Sequence, residues 1–192
     1  MVIRHPQRLI MDRPKLVLYA HHGLNRLAVH EHAWLERVNG VRLPGWEVGL
    51  LRLASRLGDG VFWYVLMAAL IAWHGLSAVP AVLHMIVAGL AGTLLYKWLK
   101  GATERPRPYQ ACPSILCLTA PLDRFSFPSG HTLHAVVFSV VATAYYPPLG
   151  WLVWPFTALV AASRLVLGLH YVSDVLAGAL IGATIAAMTL AL

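Results

Sequence analysis

The sequence predicts an all-α protein: a polytopic transmembrane helix bundle of about five spans, with amphipathic helices lying in the interface at its N-terminal end. Three observations carry that prediction. Of the 192 residues, 58% are hydrophobic and 12% are charged, with a mean hydropathy of +0.65, whereas a soluble domain carries about a quarter charged residues. The apolar residues gather into long runs, near the ~20 residues that a helix needs to cross a hydrocarbon core. Short turns at residues 75–80 and 147–150 separate some of these runs, which makes the helices flanking each turn antiparallel neighbours.

Residues 1–60 form an N-terminal segment and residues 61–192 a transmembrane domain. In the first, residues 16–38 repeat apolar side chains at helical spacing but are broken by Arg26, Glu31, Glu36 and Arg37. Residues 46–57 repeat the pattern with Arg52 and Arg56. Both stretches read as amphipathic helices lying in the interface. The first span covers residues 61–79 and is closed by Pro80; the second, 81–98, ends in Lys97 and Lys100. Residues 132–146 make a short third span that stops at Pro147-Pro148, with a fourth at 151–166 and a fifth at 172–192. Gly89 with Gly92, and Gly178 with Gly182, have the spacing of small residues that let membrane helices approach closely.

The formal net charge is +7, from 15 Lys and Arg against 8 Asp and Glu. No nucleic-acid motif or basic-aromatic platform accompanies it, so no nucleic-acid partner is expected. Positive residues flanking spans account for most of the excess, and some of these cations are candidates to bind an anionic substrate. Cys112 and Cys117 share one polar loop, and their spacing permits a small disulfide where that loop faces an oxidising space. Two thiols fall short of a structural zinc site. His21, His22, His30 and His32 crowd the N-terminal segment without paired carboxylates, a pattern of a wet helix face rather than of metal ligands. The opening residues carry charge but no apolar core followed by a small-residue cleavage site, so no signal peptide is expected.

Polar residues beside a hydrocarbon core are expensive, and three clusters of them stand out. Lys100-Gly-Ala-Thr-Glu-Arg105-Pro106-Arg107-Pro108 follows the second span. Its prolines exclude helix and favour an extended turn, and Lys100 with an arginine fork suits phosphate oxygens; ordinary flanking charge is the bland alternative. Phe127-Pro128-Ser129-Gly130-His131 opens the third span. There a hydroxyl and backbone N–H groups meet an anion at a helix start, and His131 can give or take a proton; a plain helix cap is the alternative. His134, one turn on, reads as helix packing. Ser163-Arg164, His170 and Asp174 form the third cluster. Four residues apart, His170 and Asp174 share a helix face, so the carboxylate can hold the imidazole and free its other nitrogen; a structural ion pair is the alternative. The loops after the second and fourth spans lie on one membrane face, so the three clusters can converge on one site.

Lys100-x6-Arg107-Pro108, Pro128-Ser129-Gly130-His131 and Ser163-Arg164-x5-His170-x3-Asp174 together resemble, without a gap, the three-part signature of the type 2 phosphatidic acid phosphatase superfamily. The resemblance covers residues 57–192. It implies an all-helical fold, a membrane lipid phosphate as substrate, and metal-independent hydrolysis of a phosphomonoester or diphosphate, with no cofactor. His170 would attack phosphorus to form a phosphohistidine, oriented by Asp174, and His131 would protonate the leaving oxygen. Lys100, Arg107, Ser129, Gly130 and Arg164 would hold the phosphoryl oxygens. Arg105 lies off the motif. Membrane members commonly have six spans, one more than the number read here.

Small size and a short loop between Pro108 and Pro128 resemble bacterial undecaprenyl diphosphate phosphatases, with phosphatidylglycerol phosphate and phosphatidic acid as further candidate substrates. Transfer to an acceptor other than water would use the same residues, and a non-catalytic transporter or scaffold could keep them for phosphate binding. Intact His131, His170 and Asp174 speak against the last. Haloperoxidases share the motifs but are soluble and larger. With five spans the N-terminal segment shares the active-site face, and all 15 Lys and Arg fall on that side or at its boundary, which the positive-inside rule reads as cytoplasmic. The resemblance points instead to the periplasmic face of a bacterial inner membrane, so the two arguments oppose each other.

Overall fold

The computed structural model describes residues 31–40 and 43–192, and every regular element among them is helical. Residues 31–40 form α1. Then follow α2 (Gly45–Arg56), a widened turn (Leu57–Val61), α3 (Phe62–His74), α4 (Val79–Thr103), the single turn α5 (Pro108–Ala111), α6 (Gly130–Tyr145), α7 (Gly150–Val166) and α8 (Val172–Leu190). Of the expected interfacial helix at 16–38, only residues 31–38 fall within the described part, and His21, His22 and His30 lie outside it.

The all-α membrane bundle is therefore present. By length and composition, three runs among the described residues are able to cross a membrane: Gly45–Ala111, Pro147–Val166 and Val172–Leu190. The expected spans at 61–79 and 81–98 lie together in the first run, and α6, with 16 residues, is too short to qualify. Large apolar side chains such as Leu94, Trp151 and Leu180 stay exposed on the outside of the bundle, as a hydrocarbon solvent allows.

Helix boundaries follow the special residues. The break after α3 falls at Gly75, whose φ of 62° closes the helix, and not at Pro80 as the sequence reading placed it. Pro80 instead sits in the first turn of α4, where its missing N–H leaves no hydrogen bond unmade. α4 runs past Trp98 to Thr103, and Glu104, with φ 46°, ends it. Within Leu57–Val61 the chain leaves helical geometry at Asp59 (φ −79°, ψ 16°) and Gly60 (φ 126°, ψ −37°). Only glycine takes that second conformation without strain.

Close helix packing builds the core. A Cβ on Gly178 would stand 2.5 Å from the Ser129 carbonyl oxygen, and one on Gly182 2.5 Å from that of Leu133, so α8 lies against the backbone of α6. Gly89 and Gly92 open α4 to Phe138 and Leu133 of α6 in the same way. Trp63, Met85, Leu133 and Val137 fill the centre, and a hydrogen bond of 2.7 Å joins Ser139 of α6 to Thr157 of α7. The described residues before residue 60 are part of this assembly. Leu35 packs on Ile115 and Tyr171, and Leu51 packs with Leu167 and Leu169.

Candidate active site

Three turns bring the polar residues together. Beyond Glu104, Arg105 and Pro106 lead in an irregular segment to the extended Arg107 (φ −75°, ψ 155°), the cap of α5, and Pro108 takes the first helical position of α5. Ser129 (φ −72°, ψ 104°) caps α6 after a cis Phe127–Pro128 peptide. After α7, Gly168 turns the chain at φ 73°, and the N–H groups of Leu169 and His170 both donate to the Arg164 carbonyl at 3.1 Å. His170 is thereby hung beneath the end of α7.

A cavity of ≈ 690 Å³ lies where these turns meet. Lys100, Arg107, Gly130, His131, Arg164 and His170 line it together with the apolar Trp63, Met67, Ile86 and Leu90. The structure thus joins six of the eight residues expected to form the site. Ser129 and Asp174 stand behind its wall. The Ser129 hydroxyl faces Thr132 Oγ1 at 3.0 Å in the helix cap. Asp174 is fully buried, where its Oδ2 accepts the Tyr171 N–H at 2.9 Å.

The geometry around His170 defines its two nitrogens. Arg107 Nη1 lies 3.3 Å from His170 Nε2 and donates to the Leu169 carbonyl at 2.7 Å. A guanidinium can only donate, so Nε2 carries the lone pair and the hydrogen belongs on Nδ1. That Nδ1 faces Asp174 Oδ2 at 3.5 Å, longer than a hydrogen bond. Burial, and then the charges of Arg107, Arg164 and Lys100, hold His170 well below the usual histidine range. The imidazole is neutral, with its free lone pair directed among cations. His131 Nε2 stands 3.6 Å from Asp59 Oδ1. His134 makes packing contacts, with its Nε2 3.0 Å from Thr93 Oγ1 and its ring stacked on Phe138.

Four features were not read from the sequence. Asp123 Oδ1 accepts from Lys100 Nζ at 3.0 Å and from Arg107 Nη2 at 2.8 Å, and the Asp123 and Phe125 carbonyls accept from the same two side chains. Burial alone would raise the Asp123 carboxyl, but Lys100 and Arg107 outweigh it and hold it below the usual carboxylate range. Arg105 does not line the cavity. Its Nη1 donates to Asp174 Oδ1 at 2.5 Å and to Ser173 at 2.7 Å, and its Nη2 to Glu31 at 2.9 Å, while its guanidinium lies 3.9 Å over the Tyr171 ring. Ser55 of α2 accepts from Arg164 Nη1. Asp59 reaches the cavity from the kink. In the sequence only Gly58-Asp59-Gly60 carries a local sign, two glycines about an acid amid apolar residues; the other contacts join residues far apart in the chain.

Cys112 and Cys117 are separate thiols: Cys112 Sγ donates to Glu36 at 3.1 Å and Cys117 Sγ to the Thr119 carbonyl at 3.1 Å. The bonds from Ser114 and Cys112 hold Glu36 below its ordinary value.

The family model described as the PAP2 superfamily matches residues 77–192. The chain is 34% identical over 164 residues to phosphatidylglycerophosphatase B of Bacillus subtilis, covering 78% of this chain and 70% of that protein. It is 27% identical over 139 residues to an undecaprenyl-diphosphatase of Sulfolobus acidocaldarius, covering 71% and 66% of the two. The fold is shared with the crystal structure of a transmembrane PAP2-type phosphatidylglycerolphosphate phosphatase from Bacillus subtilis, with a TM-score of 0.71 at 24% identity over 92% of each chain.

Proposed function

The chain belongs to the PAP2 superfamily and is a membrane phosphatase, and from that premise we propose that it hydrolyses a lipid phosphate or diphosphate through a phosphohistidine at His170, without a metal. The observation that carries the reading is the neutral His170 Nε2, 3.3 Å from Arg107 in a cavity lined by both cations and apolar side chains. Phosphoryl transfer asks chiefly for position and for cations about the equatorial oxygens. Lys100, Arg107 and Arg164 supply the charge, and the Gly130 N–H, at the start of α6, a further donor. The apolar wall takes the lipid chain.

His170 Nε2 attacks phosphorus as the bond to the leaving oxygen breaks. That oxygen takes a proton from His131, the general acid. Burial and then Arg164 push the pKa of its ring down to about 2 in the free site, so the proton it gives enters with the bound phosphate, whose negative charge restores the imidazolium. Water then attacks the phosphohistidine, gives its proton to His131, and the P–N bond breaks to release phosphate. Asp174 stabilises the charge that His170 gains, and Arg105 and the Tyr171 N–H hold that carboxylate in place. The contact of 3.5 Å between Asp174 and His170 shortens when the imidazole becomes cationic.

Undecaprenyl diphosphate, phosphatidylglycerol phosphate and phosphatidic acid are the candidate substrates, and two of them match the names of relatives. The site opens to the periplasmic face of a bacterial inner membrane. A panel of these lipids with purified protein in detergent and a chelator tests both substrate and metal independence. His170→Ala should abolish phosphate release while the protein remains folded. Undiminished release from that variant, or loss of wild-type activity on chelation, would overturn the mechanism.

A further inference from the structure

Asp59 is an acid in the cavity wall that the steps above do not use. Its place is built. Gly60 turns the chain at φ 126°, and Gly58 lies so close to α7 that a Cβ would be 2.7 Å from Val160 Cγ2. This kink carries Asp59 Oδ1 to 3.6 Å from His131 Nε2. Lys100, Arg107 and Arg164 line the cavity with His170, so the phosphoryl group in transfer meets cations. The leaving group, held at His131, meets the Asp59 carboxylate as well as Arg164, whose charge acts on both residues. A leaving oxygen hydrogen-bonded to His131 Nε2 stands within about 6–7 Å of Asp59, since such a bond adds ~3 Å to the observed separation.

We infer that Asp59 is a specificity-determining residue that favours phosphate monoesters of alcohols over diphosphates. The inference rests on the reading of His131 as proton donor to the leaving oxygen. With a monoester, the P–O electron pair goes to an alcohol oxygen, the His131 proton joins it, and a neutral alcohol departs. With a diphosphate, the broken bond joins the terminal phosphorus to the bridging oxygen. The departing group is then a phosphate monoester, whose negative charge sits on the atoms next to that oxygen and faces Asp59. The His131 side chain is 11% exposed and Asp59 48%, so water screens this repulsion only in part. Lys97 also lines the cavity but is exposed, so its hydrated ammonium offsets the repulsion weakly.

The test compares a prenyl monophosphate with its diphosphate, farnesyl phosphate against farnesyl diphosphate, so that tail binding cancels. kcat/KM is measured for both with purified full-length protein in detergent. The wild type should favour the monophosphate. Asp59→Asn should move the ratio toward the diphosphate by about tenfold, and Asp59→Glu should keep the wild-type preference. Asp59→Ser repeats the measurement should the asparagine variant not purify as a folded protein. An unmoved ratio in the neutral variants, or an equal shift in Asp59→Glu, would overturn the inference. His131→Ala is assayed alongside: full activity there brings down the proton-donor reading beneath it. A disabled His131→Ala with an unmoved Asp59→Asn ratio brings down this inference alone.

Discussion

Asp123 occupies donors that a bound phosphate also needs, since its Oδ1 bridges Lys100 Nζ and Arg107 Nη2. A substrate must exchange with that carboxylate, so Asp123→Asn should lower the inhibition constant for inorganic phosphate by about three- to tenfold, the value of a partly exposed ion pair of ~1 kcal/mol. An unchanged inhibition constant would show that the pair yields to phosphate without competition. Arg105 works at the other end of the site. Removing it leaves Asp174 buried without its cation, with only the Tyr171 N–H and the Ser126 hydroxyl as donors, so Arg105→Ala should destabilise the protein by about 3–5 kcal/mol, read as a lowered Tm in detergent. His170 gives the pH dependence. Its native pKa lies below the unfolded value of about 6.5, so beneath pH ~6.5 the unfolded chain binds the proton that the native chain refuses. This contribution to stability is complete above pH ~6.5 and is lost as pH falls toward the native pKa. Activity should lack an acidic limb near pH 6.5, and a kcat/KM profile that falls there would assign the limb to another group. The two histidines, Lys100, Arg107 and Arg164 were legible because each stands in a short motif. Arg105 was not, because its partners Glu31 and Asp174 are 74 and 69 residues away.

Elements were legible where one residue type sets the physics. Glycines at membrane-packing spacing marked α8 as a closely packed helix, because helices in lipid associate through close backbone approach and not through water exclusion; that its partner is α6 shows only in the structure. Gly182→Ala tests it: the added Cβ would meet the Leu133 carbonyl oxygen at 2.5 Å. α8 must then move off α6, costing about 1–3 kcal/mol as overpacking does. Faster thermal inactivation with unchanged KM is the expected result; loss of affinity without loss of stability would place the effect in the site. The break at Gly75 was misplaced to Pro80 because proline is equally at home one turn inside a new helix. The kink at Gly58–Gly60 and the loop between α5 and α6 escaped the reading for another reason. Their conformations are set by Val160, Lys100 and Arg107, distant in sequence, and no local periodicity reports such contacts.

At the scale of the whole molecule, the membrane face that the site cavity meets is a matter of topology, and charge alone does not decide it. Lys100, Arg107 and Arg164 are kept in the cavity wall by the phosphate chemistry proposed for them, so they are poor witnesses to topology. Loop cations outside the site orient a membrane protein, and many of those here lie before residue 60, on the segment whose described part packs against Ile115 of the loop that lines the cavity through Leu122, Asp123 and Phe125. That loop carries its own reporter. Cys117 is exposed and Cys112 partly so, and neither is bound in a disulfide. In cells expressing the chain, under reducing conditions, a membrane-impermeant maleimide should label Cys117 in a Cys112→Ser background if the cavity opens to the periplasm. The Cys112→Ser, Cys117→Ser variant should stay unlabelled. Labelling that appears only after the membrane is permeabilised would turn the site to the cytoplasm. The lipid phosphates within its reach would then be those of the inner leaflet, and the positive-inside count would stand without exception.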